Sequence, residues 1–218
     1  NGAMKRKLTT VSCIGGAPNL IVLLPGAYMK PEDFESNGFF DAVARRGLAL
    51  DVIAVDLDLS AFSGGSAVRD LHSMIIEPGR KNGYQKIWLG GISLGGLLAL
   101  AYSADMPDDV DGLCLLAPYP GSRLTTNAIA RAGGLSRWQP KPDELTDPEF
   151  RIWDWLRQEP VDFPVFIGYG SEDRFAGGIK RVADCFPPAA SMVLPGVHDW
   201  PVWKALWENF LDRHFLSA

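Results

Sequence analysis

The sequence predicts an α/β fold in three layers, in which helices cover both faces of a mostly parallel central sheet. Short, continuous apolar runs recur along the chain, as in parallel strands that are buried on both faces. Segments with helical spacing separate these runs, and this alternation is typical of a parallel sheet. Glycine and proline, with 23 and 16 copies, close most of the runs.

Length and composition limit the number of domains and the class of partner. A chain of 218 residues with a formal net charge of −5 suits one domain spanning residues 1–218. The acidic balance argues against nucleic acid as a partner, and the one basic cluster is Lys5-Arg6-Lys7. No apolar run reaches the length of a membrane span, and the start of the chain lacks the pattern of a signal peptide.

Three cysteines, Cys13, Cys114 and Cys185, indicate a reducing compartment. Their number is odd and their spacing fits no metal site. Cys114 lies inside an apolar run and is expected to be a small core residue. We therefore expect a cytoplasmic protein without structural disulfides.

The predicted strands are mainly apolar runs, most of which are closed by glycine or proline, and the first, which alternates loosely, is expected at the sheet edge. They are Lys7–Ile14, Asn19–Leu24, Leu48–Leu57, Ile87–Leu89, Val110–Ala117, Pro164–Gly168 and Ser191–Leu194.

The predicted helices follow helical spacing, with proline and acidic residues at the first start and glycine or proline at several ends. The first runs from Pro31 through Ala44 and ends at Gly47. The second, Val68–Ile76, follows a Gly/Ser-rich loop at Ser60–Ser66 and is closed by Pro78-Gly79 and Asn82-Gly83. The others are Leu97–Tyr102, Gly177–Phe186 and Val202–Leu216.

The region from Gly121 to Pro160 is the least regular part of the chain. It is expected to be a short lid-like or irregular helical insertion within the domain. Its most regular part is Glu149–Gln158, where Phe150, Trp153 and Leu156 have helical spacing. This spacing indicates a packing face.

One serine, Ser93, sits on a sharp turn between a predicted strand and a predicted helix. The sequence GISLG at 91–95 follows the apolar run Ile87–Leu89 and precedes a run of helix formers. G-x-S-x-G in a strand–turn–helix context is the pattern of a nucleophile elbow. Gly91 and Gly95 have no Cβ, so neighbouring backbone can pass close to them. The alternative is a glycine-rich turn whose serine caps the helix.

An acid and a histidine follow two later strands. Asp173 comes after Pro164–Gly168, and His198 comes after Ser191–Leu194. Open α/β sheets place their sites beyond the carboxyl ends of the strands. A serine hydroxyl needs a base within hydrogen-bond reach, and the base needs a carboxylate to fix its tautomer. The chain order Ser, Asp, His is the order associated with this elbow.

These motifs resemble those of the α/β-hydrolase family, and the resemblance extends from about Asn19 to Phe215. It rests on GISLGG at 91–96, GSEDR at 170–174 and GVHDW at 196–200. Small bacterial serine esterases are the members that the chain resembles most. The resemblance implies the α/β-hydrolase fold and hydrolysis of a small or medium carboxylic ester through an acyl-enzyme intermediate. It implies a small-molecule ester substrate and no metal or organic cofactor.

The resemblance also implies a role for each motif residue. Ser93 would be the nucleophile, and His198 would be the general base and then the general acid. Asp173 would orient His198. Glu172 is adjacent and could take that part, whereas Asp199 is too close to the histidine in sequence to do so easily.

The backbone N–H groups of Ala27 and Leu94 would form the oxyanion hole. Many relatives have His-Gly before the first of these donors, whereas this chain has Pro25-Gly26. The donor itself is kept, because it belongs to the backbone of Ala27. The support that the histidine normally gives the loop is lost.

Five further side chains are aromatic residues or histidines outside these motifs. Tyr28, Tyr119 and Trp200 are candidates for lining the substrate pocket, although aromatic residues there can equally serve packing. His72 and His214 fall in predicted helices and are expected to be structural.

The sequence leaves three alternatives to an esterase. A thioesterase or peptidase would use the same three residues. The fold could also serve a lyase or a cofactor-free perhydrolase. In a catalytically silent binding protein, the serine would remain without a reaction.

Overall fold

The structure is a computed structural model and describes residues 9–58, 62–158 and 161–216. The described residues form seven strands: β1 Thr9–Cys13, β2 Asn19–Leu24, β3 Leu50–Asp56, β4 Lys86–Ile92, β5 Gly112–Leu116, β6 Val165–Gly170 and β7 Ser191–Leu194. They form nine α-helices: α1 Pro31–Ser36, α2 Phe39–Arg45, α3 Ser66–Leu71, α4 Glu77–Lys81, α5 Leu94–Asp105, α6 Arg123–Arg131, α7 Pro148–Leu156, α8 Ala176–Ala183 and α9 Trp200–Leu211. The cluster Lys5-Arg6-Lys7, Pro160 and part of the Ser60–Ser66 loop lie outside the described residues.

The strands form one sheet in the order β1-β3-β2-β4-β5-β6-β7. All neighbours are parallel except β1, which pairs antiparallel with β3 at the sheet edge. In the register, Ile92 lies beside Leu116, and Gly170 lies beside Leu194. The loops after β4, β5, β6 and β7 therefore leave the sheet at the same edge. The predicted mostly parallel α/β sheet is confirmed.

Helices cover both faces of the sheet. The Trp88 ring on β4 lies 5.4 Å from the Phe210 ring of α9, measured between centroids. A Cβ on Gly91, three residues later, would collide with the backbone of α5 at Gly95. Because successive side chains of a strand point to opposite faces, α9 and α5 lie on opposite faces. The result is the three-layer arrangement that the sequence predicts.

The first predicted helix is two helices, so the prediction of one continuous helix was wrong. The break lies at Gly38, whose φ of 80° is left-handed and ends the helical path. Asn37 caps the end of α1, where its side-chain amide donates to the Asp33 carbonyl at 2.8 Å. The dipeptide Asn37-Gly38 is a turn signal, so the sequence did contain this break.

The helical stretch after β3 is longer than predicted. Pro78-Gly79 does not close it, because α3 continues through a π-helical turn at His72–Ile76 into α4. In the wider turn, the Glu77 amide donates to the carbonyl of His72. Pro78 then occupies the first turn of α4, where proline is tolerated. The helix ends at Asn82-Gly83, as predicted, with Gly83 at a φ of 98°.

The segment predicted as a lid is regular over much of its length. It contains α6, a 3₁₀ turn at Glu144–Thr146 and α7. α7 packs against α5, and the Arg151 guanidinium pairs with Asp105 of α5 at 2.9 Å. Trp153 and Leu156 are buried, which confirms the predicted packing face. Phe150 is half-buried and stacks on Trp138, with 5.8 Å between the ring centroids.

Candidate active site

Ser93 occupies the turn between β4 and α5 in a strained conformation. Its φ and ψ are 54° and −116°, which non-glycine residues rarely adopt. Neighbouring backbone holds this conformation: the Ser93 amide donates to Leu116 of β5 at 3.2 Å, and its carbonyl accepts from Tyr119 at 2.9 Å. Strain of this kind persists only where the surroundings fix it, and it is common at functional sites.

The glycines on either side of the serine are required by close backbone contacts. A Cβ on Gly95 would collide with the carbonyl oxygen of Leu24 at the end of β2. A Cβ on Gly91 would collide with the backbone of Gly95 and Gly96. The two positions therefore admit no side chain, and this packing sets α5 directly against β2 and β4.

A chain of hydrogen bonds joins Ser93, His198 and Asp173. The Ser93 Oγ lies 3.0 Å from the His198 Nε2. The Nδ1 of the same ring lies 2.6 Å from the Asp173 Oδ2. The imidazole side chain is 8% exposed and the carboxylate is 0% exposed. The structure thus brings together the three residues that the sequence places at three separate strand ends.

The second oxygen of Asp173 is also engaged, and this fixes the plane of its carboxylate. The Phe175 amide donates to Oδ1 at 2.8 Å. Each carboxylate oxygen therefore has its own donor, one from the backbone and one from the imidazole. Glu172 does not contact His198; its Oε2 accepts from the Gly196 amide at 2.6 Å and from the Ser171 hydroxyl.

Two aromatic rings hold the imidazole from its sides. The Phe175 ring lies 5.3 Å from the His198 ring at 79°, and the Trp203 ring lies 5.1 Å away at 87°. Edge contacts of this kind restrict rotation of the histidine. No sequence pattern pointed to a role for either ring, although Phe175 follows the acid by two positions and Trp203 belongs to the predicted C-terminal helix.

The two proposed oxyanion donors flank the serine. Leu94 is the first residue of α5, and Ala27 lies in the turn after β2. Neither amide donates a hydrogen bond within the part of the chain that the structure describes. The loop carrying Ala27 touches the elbow, because a Cβ placed on Gly26 would lie 3.3 Å from the Ser93 Cβ.

Met29 supports the loop that carries Ala27. Its Sδ accepts a hydrogen bond from the Gly26 amide at 3.3 Å, and the Met29 amide donates back to the Gly26 carbonyl at 3.3 Å. Tyr28 lies between them with a left-handed φ of 63°. A thioether is a weak hydrogen-bond acceptor, so the loop is also held by packing and by the bond from the Met29 amide to the Gly26 carbonyl. No sequence pattern pointed to Met29.

The three aromatic candidates for the pocket lie in different surroundings. The Tyr28 side chain is fully exposed. Tyr119 is half-buried, and its ring lies 5.3 Å from that of Phe175. Trp200 packs edge-on against Phe34 and Phe39, at 5.9 Å and 5.8 Å between centroids. Trp200 also lies 5.2 Å from Trp203, so both Tyr119 and Trp200 contact a ring that itself touches His198.

The other histidines and the cysteines lie elsewhere. His72 contacts the Tyr102 hydroxyl, and His214 lies among the rings of Trp88, Phe166 and Phe210. The three cysteines are within the described residues and none is paired. Burial raises the pKa of the Cys114 thiol well above its ordinary value, as expected for a core residue.

Among the described residues, no group of three or more His, Cys, Asp or Glu side chains is placed to hold a metal ion. In the same part of the chain, no helix combines the length and apolar character needed to cross a membrane.

Comparison with known proteins identifies the family. Residues 21–216 match the model described as "Alpha/beta hydrolase family". The chain belongs to the α/β-hydrolase family. No curated protein matches it by sequence.

Solved structures of this family share the fold at low sequence identity. A fluorophosphonate-binding serine hydrolase F of Staphylococcus aureus has a TM-score of 0.68 at 14% identity, covering 92% of this chain and 84% of its own. A monoacylglycerol lipase of Paleococcus ferrophilus gives 0.64 at 15%, covering 95% and 98%. A ferulic acid esterase gives 0.63 at 13%, with the same coverage. The fold is therefore that of esterases, lipases and serine hydrolases.

Proposed function

We propose that this α/β-hydrolase cleaves a carboxylic ester of small or medium size through an acyl-enzyme intermediate. The observation that carries the proposal is the hydrogen-bonded chain from Ser93 through His198 to Asp173. An imidazole that accepts from a hydroxyl at one nitrogen and donates to a buried carboxylate at the other can activate that hydroxyl. The esterase and lipase among the structural neighbours support an ester substrate.

In the first half-reaction, Ser93 Oγ attacks the ester carbonyl carbon. Its proton passes to His198 Nε2 as the new C–O bond forms, and the carbonyl oxygen becomes an oxyanion. Asp173 stabilises the imidazolium through Nδ1–H. When the intermediate collapses, the ester C–O bond breaks and Nε2–H protonates the departing alcohol. This leaves the acyl group on Ser93.

In the second half-reaction, water repeats these steps. The neutral imidazole of His198 takes a proton from water, and the hydroxide attacks the acyl carbon. Collapse of the second intermediate returns the proton to Ser93 Oγ and releases the carboxylic acid. The amides of Ala27 and Leu94 are proposed to bind the oxyanion in both halves, a type of interaction that contributes about 3–4 kcal/mol per donor.

Two of the aromatic candidates are proposed to lie at the substrate pocket. Tyr119 packs on the Phe175 ring and Trp200 packs on the Trp203 ring, and both of those rings touch His198. Trp200 also packs on two phenylalanine rings, which gives it a structural role as well, and Tyr28 would meet substrate only at the rim.

Replacing the nucleophile gives the direct test. Ser93→Ala is expected to lower kcat for p-nitrophenyl butyrate by at least about 10⁴-fold, because no other group can form the acyl-enzyme. The melting temperature should not fall, because the change removes only the hydroxyl, whose hydrogen bond is to His198. Retained turnover in Ser93→Ala would rule out this nucleophile.

A fluorophosphonate probe separates catalysis from silent binding. The wild-type protein should be labelled at Ser93, and Ser93→Ala should not be labelled. Absence of labelling in the folded wild type would favour a binding protein. Matched ester, thioester and anilide substrates with one acyl group then separate esterase from thioesterase and peptidase, since the same three residues could serve all three.

A further inference from the structure

The acid and the histidine of the proposed site lie on two separate loops that must be held in register. Asp173 lies on the loop after β6, and His198 lies on the loop after β7. Backbone bonds join the loops near their bases. The Ser171 amide donates to Leu194 at 2.7 Å, and the Glu172 amide donates to the Gly196 carbonyl at 2.9 Å.

The Glu172 side chain adds a second bond between the same two residues. Its Oε2 accepts from the Gly196 amide at 2.6 Å. Glu172 therefore donates to Gly196 with its backbone and accepts from it with its side chain. The same oxygen accepts from the Ser171 hydroxyl, so the carboxylate is held from both loops.

A hydrogen bond to the Gly196 amide can restrict the position of His198. It lies two residues before His198 and has a φ of 135°, which favours glycine. A Cβ on Gly196 would collide with Val202 of α9, and one on Gly170 would collide with the Gly196 carbonyl. The backbone here is tightly packed on two sides, and the Glu172 bond fixes the amide between them.

The carboxylate keeps its charge under ordinary conditions. Hydrogen bonds from Ser171 and then from the Gly196 amide lower the pKa of Glu172 below its ordinary value of 4.5. The side chain is exposed and does not reach the imidazole, so it does not take part in proton transfer.

We propose that Glu172 is a positioning residue, which fastens the His198 loop to the Asp173 loop and so sets the His198–Ser93 geometry. This rests on the proposed hydrolase function. Because the two accepted hydrogen bonds converge on one oxygen, an amide oxygen can replace that carboxylate oxygen. Loss of the bonds and loss of the charge can therefore be tested separately.

The test compares Glu172→Ala, which removes the bonds, with Glu172→Gln, which keeps an acceptor and removes the charge. Glu172→Ala is expected to lower kcat for p-nitrophenyl butyrate by about tenfold or more, with KM changed less than about threefold, because small displacements of catalytic groups are costly. Glu172→Gln should restore kcat to within about threefold of wild type. Ser171→Ala removes only one donor to the carboxylate and should have a smaller effect than Glu172→Ala.

The matched control is Glu144→Ala. Glu144 also accepts from a backbone amide at the surface, that of Lys141 at 2.9 Å, but it lies in the 3₁₀ turn before α7. Its removal should leave kcat unchanged. Melting temperatures for all variants separate lost folding from lost activity.

A spectroscopic signal tests positioning directly. The proton shared by His198 Nδ1 and Asp173 should give a far-downfield ¹H resonance in the wild type. This resonance should shift or broaden in Glu172→Ala and recover in Glu172→Gln. Full activity and an unchanged resonance in Glu172→Ala would overturn the positioning role, as would a failure of Glu172→Gln to restore activity. An inactive wild type would instead refute the proposed function.

Discussion

Two histidines of this protein each meet a carboxylate and a hydroxyl, yet only one pair of contacts can form a relay. His198 uses both ring nitrogens, with Asp173 at Nδ1 and the Ser93 hydroxyl at Nε2. His72 has both groups at Nδ1: the Tyr102 hydroxyl at 3.0 Å and Asp109 at 3.3 Å.

The difference between His72 and His198 lies in where the nearby hydroxyl donates its proton. The Tyr102 hydroxyl donates directly to Asp109, so its proton is already held by the carboxylate. Burial, and then this hydrogen bond to Asp109, raises the pKa of Tyr102 well above its ordinary value. At Nε2, His72 faces the Glu77 side chain at 3.6 Å, and no hydroxyl contacts this nitrogen within the described residues. Nucleophile activation therefore depends on which nitrogen meets which group.

The largest difference in kcat is expected between two variants, Asp173→Asn and Asp109→Asn, each of which replaces a carboxylate by an amide. Asp173→Asn should lower kcat by about 10⁴-fold, because an amide at Nδ1 favours the wrong tautomer of His198 and cannot stabilise the imidazolium. Asp109→Asn should leave kcat within about twofold, because Asp109 is remote from Ser93. Steady-state hydrolysis of p-nitrophenyl butyrate measures both. Comparable losses of kcat in the two variants would contradict the proposed difference between His198 and His72.

A smaller effect, on stability alone, is expected from Tyr102→Phe. Tyr102 is fully buried, and its hydroxyl joins His72 and Asp109. Removing the hydroxyl should lower the free energy of unfolding by about 1–3 kcal/mol, because Asp109 loses a donor in a partly buried site. Urea denaturation measures this, and kcat should not change. A loss of activity without a loss of stability would place Tyr102 in the reaction.

The smallest expected effect is on the pH dependence of stability, and it concerns His214. Within the described residues, this histidine contacts neither a carboxylate nor a hydroxyl. Its Nε2 is buried without a hydrogen-bond partner in the described part of the chain. Burial, and then the neighbouring charge of Arg213, lowers the pKa of His214 below its ordinary value of 6.5. The unfolded chain thus takes up this proton first, and stability is lost as the pH falls through about 6.5.

This pH dependence can be isolated with His214→Leu, which cannot titrate. Between pH 8 and pH 5.5, the wild type should lose more unfolding free energy than the variant, because only the wild type carries this imidazole. Other titrating groups contribute equally to both proteins. Parallel pH curves for the two proteins would contradict the burial argument.

The sheet, its site-bearing edge and the turn around Ser93 could be predicted from local sequence patterns. Apolar runs, proline and glycine stops and the spacing of Gly91 and Gly95 express short-range packing, so they can be seen without a structure. The break at Asn37-Gly38 was also visible locally. By contrast, the helix continues through Pro78-Gly79 by way of a π-helical turn, and no local pattern predicted that turn.

Which side chains contact one another at the site could not be predicted in this way, because it depends on long-range packing. Glu172 and Asp173 are adjacent in sequence. The register of β6 against β7 places the Glu172 side chain beside Gly196 and the Asp173 side chain beside His198. The support of the oxyanion loop by Met29 likewise depends on where that loop meets the elbow. These choices rest on contacts between residues far apart in sequence, whose directions are set only when the strands have paired and the helices have packed.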